Sequence, residues 1–116
     1  MVTHALPLDM RIAVQEYLDE AGKSPFARWF KELNAPAAAK VAATLYRLEQ
    51  GNFSNIEGVG SGVYEYKINF GPGYRVYFGK DGEKIVILLG GGSKSRQSTD
   101  ITAALACWQD YKRRKR

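Results

Sequence analysis

The stretch KINFGPGYRVYF, Lys67 to Phe78, places two runs of period-two alternation on either side of Gly71-Pro72-Gly73. Upstream, Tyr64, Tyr66, Ile68 and Phe70 alternate with Glu65, Lys67 and Asn69. Downstream, Tyr74, Val76 and Phe78 alternate with Arg75 and Tyr77. A period of two is that of a half-buried strand, and a glycine-proline turn between two such runs makes a hairpin. After a second turn at Lys80-Asp81-Gly82, the run Ile85 to Leu89 is apolar on both faces, which marks a central strand. The pattern predicts a three-stranded antiparallel meander. If the aromatic and aliphatic set points toward helices, Glu65, Lys67, Asn69, Arg75 and Tyr77 share the opposite face.

Working outward, Arg11 to Leu18 reads as a first strand with Ile12, Val14 and Leu18 on one side, although the same residues could begin a helix. Ser24-Pro25 supplies a cap and a first-turn proline ahead of Phe26, Trp29, Phe30 and Leu33, spaced as one helix face. Asn34-Ala35-Pro36 breaks that helix and starts another, with Val41, Leu45 and Leu48 on one stripe and Gly51 at its end. So short a joint predicts a helical hairpin. Beyond the meander, GGGSKSRQSTD (Gly90 to Asp100) reads as a flexible cationic loop. A last helix follows, with Ile101, Leu105 and Trp108 facing the core. The expected architecture is α+β: strand, two-helix hairpin, meander and C-terminal helix, with the helices on one side of the sheet.

A chain of 116 residues, 45% hydrophobic, fits one domain spanning 1–116. Its formal charge is +5, yet Lys112 to Arg116 are five consecutive cations. Removing them from the 17 basic residues leaves 12 against 12 acidic ones, so the body is balanced and any positive surface on it comes from placement. The basic tail at 112–116 is expected to be a solvated end, with nucleic-acid contact as the alternative. The single cysteine, Cys107, precludes an internal disulfide and reads as a small core residue beside Trp108. The only histidine, His4, leaves neither a histidine metal cluster nor a two-histidine acid–base pair. No apolar run approaches the roughly 18 residues of a membrane span. A cytoplasmic protein without cofactor or metal is expected.

The face opposite the helices would carry Lys67 and Arg75 close together, and the loop after the central strand could deliver Lys94 and Arg96 to the same end. Fixed cations beside the Tyr77 ring suit a phosphate backbone and a stacked base. The same pattern also describes an ordinary solvated face of a half-buried sheet.

The run GVYEYKINFGPGYRVYFGKDGEKIVILLGGGSKSRQSTDI, Gly62 to Ile101, together with LYRLEQGNF, Leu45 to Phe53, resembles the addiction-module killer proteins, the HigB-like, phage-Gp-like branch of the RelE/ParE toxin superfamily. The resemblance implies a toxin held inactive by a cognate antitoxin, usually a helix-turn-helix protein. It also implies the strand, two helices, sheet and terminal helix read above. In RelE-like members, basic residues on the exposed sheet face cut messenger RNA in the ribosomal A site. By position, Arg75 matches the hairpin arginine, Lys67 a basic residue on the preceding strand, and Lys94 or Arg96 the basic position after the last strand. Asn69 stands where that pattern has a second lysine, and no tyrosine follows in the first turn of the last helix.

Metal-free RNA cleavage requires the 2′-hydroxyl deprotonated, the phosphorane charge neutralised and the leaving 5′-oxygen protonated. Arginine holds its proton, so Arg75 and Arg96 are candidates for charge stabilisation. Lys67, if flanked by Arg75 and Lys94, is the candidate base, with Glu65 as a competing base or an ion-pair partner. Tyr77 would stack on a base or assist proton transfer, and Asn69 and Arg96 would contact RNA. Two other readings use the same face: a ParE-like inhibitor of DNA gyrase that acts by binding, and a non-enzymatic RNA-binding module.

Overall fold

Capping chemistry sets the helix starts. In the computed structural model, which describes residues 11–115, the Ser24 hydroxyl accepts the Ala27 N–H at 3.0 Å and starts α1, Pro25–Phe30. The Asn34 side-chain oxygen, Oδ1, accepts the Ala37 N–H at 2.9 Å and starts α2, Ala35–Glu49. α2 ends where Gly51 takes a positive φ of 76°. There the Asn52 N–H reaches the Arg47 carbonyl at 2.9 Å and the Gly51 N–H reaches Leu48 at 3.0 Å, the paired bonds of a Schellman ending. His4 and Arg116 lie outside the described residues.

The sheet has five strands in the order β1-β5-β4-β3-β2. They are β1, Ala13–Glu16; β2, Ile56–Gly60; β3, Val63–Ile68; β4, Tyr74–Asp81; and β5, Ile85–Ser93. β1 runs parallel to β5, and the other pairs are antiparallel. The meander is present as β3-β4-β5, and β2 adds an edge strand that the sequence reading does not contain. Two glycines and a register shift between Gly58 and Gly60 erase its alternation.

The glycine-rich segment departs from expectation. β5 continues through Gly90 to Gly92 as far as Ser93, and a single 3₁₀ turn, Lys94–Arg96, leads directly into α3, Gln97–Lys115. Glycine serves here for close approach. A Cβ at Gly91 would collide with the Trp29 indole and one at Gly92 with the Asp100 carboxylate. A bulge at Leu89, between the Phe78–Leu88 and Tyr77–Gly90 pairs, shifts the register by one residue before this stretch.

Helices cover both faces of the sheet, which corrects the expectation that all lie on one side. α1 and α2 bury Phe26, Val41 and Leu48 against Tyr66, Ile68, Val76, Phe78, Val86 and Leu88. α3 buries Ala104 and Trp108 on the other face against Tyr17, Val63, Tyr77, Ile87 and Leu89. A central strand apolar on both faces exposes two apolar surfaces, and one layer of helices can cover only one. Ile101 and Leu105 pack at the edge of this second cluster, as does half-buried Cys107, whose thiol is pushed up mainly by burial.

The ends of the chain also differ from the reading. Ile12 and Val14 pack on the α1/α2 cluster, but Leu18 is 49% exposed, and its neighbour Tyr17 is buried instead under α3. The tail residues Lys112 to Lys115 form the last turn of α3 rather than a loose end. Arg113 and Arg114 pair with Asp110, Lys115 with Asp81, and Arg114 donates to the Leu18 carbonyl.

Candidate functional site

Strand register puts the site together. Lys67 on β3 stands directly opposite Arg75 on β4, and Arg75 opposite Gly92 on β5. Two pairs further along, Glu65 stands opposite Tyr77. All four side chains lie on the α3 face, as alternation requires, but that face is covered over much of its area. Glu65 and Tyr77 have no exposure, and Arg75 is only 8% exposed.

A buried carboxylate organises the cations. Glu65 lies 3.6 Å from the Arg75 Nε and 3.9 Å from the Lys67 ammonium, and the Gln97 amide donates to both of its oxygens at 3.1 and 3.2 Å. Of the two roles considered for Glu65, the ion-pair partner is the one the geometry supports, because a group with no exposure cannot reach substrate. Gln97 is the first residue of α3, so it joins the helix to the sheet at the site. Burying an ionised carboxylate is costly unless it is paired and hydrogen-bonded, and this one is both.

Lys67 has Arg75 across the ladder as expected, but the ion-pair partners of its ammonium are carboxylates. Its side chain is 45% exposed, and its ammonium lies 3.4 Å from Glu57 on β2 and 3.9 Å from Glu65. Lys94 is exposed at the start of the 3₁₀ turn, where its N–H donates to the Gly73 carbonyl at 2.8 Å and fixes it over the β3–β4 turn. Lys67 thus reaches solvent from β3 and Lys94 from the 3₁₀ turn that follows β5, on either side of the strand of Arg75. Asn69 is exposed beside the same turn, in a shallow cleft with Phe70, Gly71 to Gly73 and Lys94. Arg96, its side chain 69% exposed, lies on the rim with its Nε 3.9 Å from Asp100.

Tyr77 cannot serve as a stacking platform. Its ring is sealed beneath α3, and its hydroxyl is pushed up to about 12, first by burial and then by Glu65 and Asp100, with Arg75 opposing. The Tyr77 hydroxyl, the Arg75 Nε and the Asp100 Oδ2 are buried without a hydrogen-bond partner. Burial also raises the Asp100 carboxyl, against the lowering effect of Arg96. Glu57, Gln97 and Asp100 are the site residues that sequence reasoning missed. The hydrophobic pattern hides Glu57 because its strand is half glycine, and Gln97 and Asp100 because their helix starts where a loop was expected. Among the described residues, no group of three or more His, Cys, Asp or Glu side chains could hold a metal, and no helix is long and apolar enough to cross a membrane.

No protein-family model matches the chain. Over 80 residues it is 45% identical to an uncharacterised protein of Haemophilus influenzae, a match covering 68% of this chain and 81% of that protein. The chain belongs to that protein's family. Its architecture is similar to a solved structure of E. coli toxin RelE, an arginine-substituted variant in the free state, with a TM-score of 0.62. The superposition covers 84% of this chain and 97% of that one at 16% identity. The Haemophilus relationship and the RelE-like α+β fold are therefore secure, and at that identity the structural likeness speaks to fold alone.

Proposed function

We propose that the chain is the toxin of a type II toxin–antitoxin system, of the HigB-like branch, acting in the cytoplasm as a ribosome-dependent messenger-RNA endonuclease. One observation carries the proposal: on a RelE-like fold, Arg75 faces Lys67 across β3–β4 with its guanidinium against buried Glu65, while Lys67 on β3 and Lys94 in the turn after β5 reach solvent on either side. Such an array suits a phosphodiester held over Arg75.

In this reading the substrate 2′-oxygen attacks the adjacent phosphorus. The P–O5′ bond breaks, leaving a 2′,3′-cyclic phosphate and a free 5′-hydroxyl. Arg75 and Lys67 neutralise the extra charge on the phosphorane, and pre-paid orientation by Glu65 makes that stabilisation effective. Glu57, the accessible carboxylate beside Lys67, takes the 2′-hydroxyl proton, and the Lys94 ammonium supplies one to the leaving oxygen. Asn69 and Arg96 hold flanking nucleotides. The ribosome positions the message, and a cognate antitoxin of the helix-turn-helix type covers the face until it is degraded.

The test is induction of the chain in a host lacking the antitoxin, followed by primer extension on abundant messages. Cuts recurring with the codon period are expected, and their absence at full growth arrest would overturn the nuclease reading. A second reading, gyrase inhibition by binding alone, draws on the Lys67 environment, where the ammonium is paired with the Glu57 and Glu65 carboxylates. DNA-damage signalling without cuts would select it.

A further inference from the structure

A second cleft adjoins the site on its β2 side. The β2–β3 ladder begins at the Ile56–Tyr66 pair, so beyond Tyr66 the edge of β3 away from β4 has no strand along it, and α2 crosses near this open edge. Lys40, Thr44, Arg47, Asn55, Lys67 and Asn69 line the cleft, and none of its lining residues is acidic. In a body with equal numbers of acids and bases, two helix cations, Lys40 and Arg47, and two amides without a lining carboxylate are a matter of placement, while the Lys67 ammonium at the cleft's edge is turned toward Glu57 and Glu65. Lys40 and Arg47 are seven residues apart, two helical turns, so they project from one side of α2 roughly 10 Å apart along its axis. Thr44, between them, is fully buried, and its hydroxyl donates to the Lys40 carbonyl within the helix at 3.1 Å. The Lys40 ammonium also lies over the Phe70 ring, 5.3 Å from its centroid, which draws it toward the hairpin turn.

Two residues join this cleft to the site already described. Lys67 lines it while standing opposite Arg75, and Asn69 lines both it and the cleft of Lys94. The result is a cationic track from Arg47 and Lys40, past Asn69, to Lys94, with Arg75 at its side.

We propose that the α2–β3 cleft is a second phosphate-binding site, in which Lys40 and Arg47 hold a backbone phosphate of the same single-stranded RNA next to the one at Arg75. The inference rests on RNA being the ligand of the Arg75 site. Cations without acids define an anion site, and continuity with the Lys67–Arg75 pair makes that anion a further phosphate of one chain.

The experiment is a salt series of fluorescence-anisotropy titrations with a short single-stranded oligoribonucleotide whose 2′-hydroxyls are methylated, so that it cannot be cut. Counterion release contributes about 0.7 per phosphate contact to the log–log slope for single strands. The Lys40→Ala/Arg47→Ala variant, which loses that one phosphate contact, should therefore show a slope shallower by about 0.7 and, near 0.1 M salt, about 5-fold weaker binding. Lys23→Ala/Lys31→Ala removes the same charge from around α1 and should bind as the wild type does. No binding by the wild type, an unchanged slope in the α2 variant, or an equal loss in the control would each overturn the proposal. So would a poly-glutamate peptide that binds as tightly as RNA and with the same dependence on Lys40 and Arg47, which would assign the cleft to an acidic protein. Binding that depends on Lys40 and Arg47 in a chain that makes no messenger cuts keeps the cleft and removes the nuclease reading. Messenger cuts with unaltered binding by the α2 variant do the reverse.

Discussion

The Glu65 carboxylate, fully buried, lies 3.6 Å from the Nε of Arg75, so the arginine expected to stand free on an open face is instead half of a buried ion pair. Its orientation is set from beneath the sheet surface, and its removal strands a charge.

Arg75→Ala should accordingly abolish toxicity and also destabilise the fold. Breaking a buried pair costs on the order of 3 kcal/mol, at the lower end here because Gln97 and Lys67 still contact Glu65. Glu65→Gln in the Arg75→Ala background should recover part of that stability in urea unfolding while leaving the chain inactive. Glu65→Gln alone should keep the fold and lower cleavage, since Arg75 loses its anchor. Wild-type stability for Arg75→Ala would mean the pair contributes nothing.

Tyr77→Phe should raise stability. The hydroxyl is buried without a partner, and removing such a group recovers about 1 kcal/mol, a rise of roughly 4 °C in Tm. The Tyr77 hydroxyl titrates near 12 in the fold against about 10 in an unfolded chain, so the native state holds the proton more tightly. Its contribution is complete below pH 10 and is lost as pH rises through 12. Tyr111, also pushed up to about 12 by burial and by its bond to Asp81, acts in the same window. The wild type should therefore lose stability steeply between pH 10 and 12, and Tyr77→Phe less so. Identical alkaline curves would count against this account.

Gly79→Ala should loosen α3. A Cβ at Gly79 would sit 2.5 Å from the Trp108 ring, and overpacking of this kind costs about 1–3 kcal/mol. Limited proteolysis should cut the α3 segment earlier in the variant than in the wild type. Unchanged proteolysis together with an unchanged melting curve would show that Trp108 is free to shift.

Truncation after Tyr111 should lower thermal stability as well as charge, because Arg114 and Lys115 tie α3 to Leu18 and Asp81. Lys115 and Tyr111 hold the Asp81 carboxyl below its usual range, and Tyr17 and Arg114 do the same for Asp110. Depressed carboxyls stabilise the fold above about pH 4 and lose that effect as pH falls through their folded values. The full chain should thus lose stability on acidification more steeply than the truncated one. Parallel acid melting curves would mean that these pairs do not matter.

The sequence by itself determined the local elements whose signals are short-range. Ser24-Pro25 and Asn34-Ala35-Pro36 start helices through caps and prolines, and Gly51 stops one. The alternation from Tyr64 to Phe78 makes a hairpin, and with Gly71 to Gly73 as its turn it brings Lys67 opposite Arg75. Tertiary structure decided what covers each face and therefore what the site is made of. The alternation of Glu65 and Tyr77 reads as outward whether water or a helix lies beyond, and only the packing of α3 through Trp108 buries them. Gly90 to Gly92 look like a loop because backbone freedom is all that a glycine shows in sequence; here glycine makes room for Trp29 and Asp100, residues distant along the chain or on the next helix. Glu57, Lys40 and Arg47 join Lys67 only through strand pairing and helix placement, contacts between segments that leave no periodic trace in the sequence.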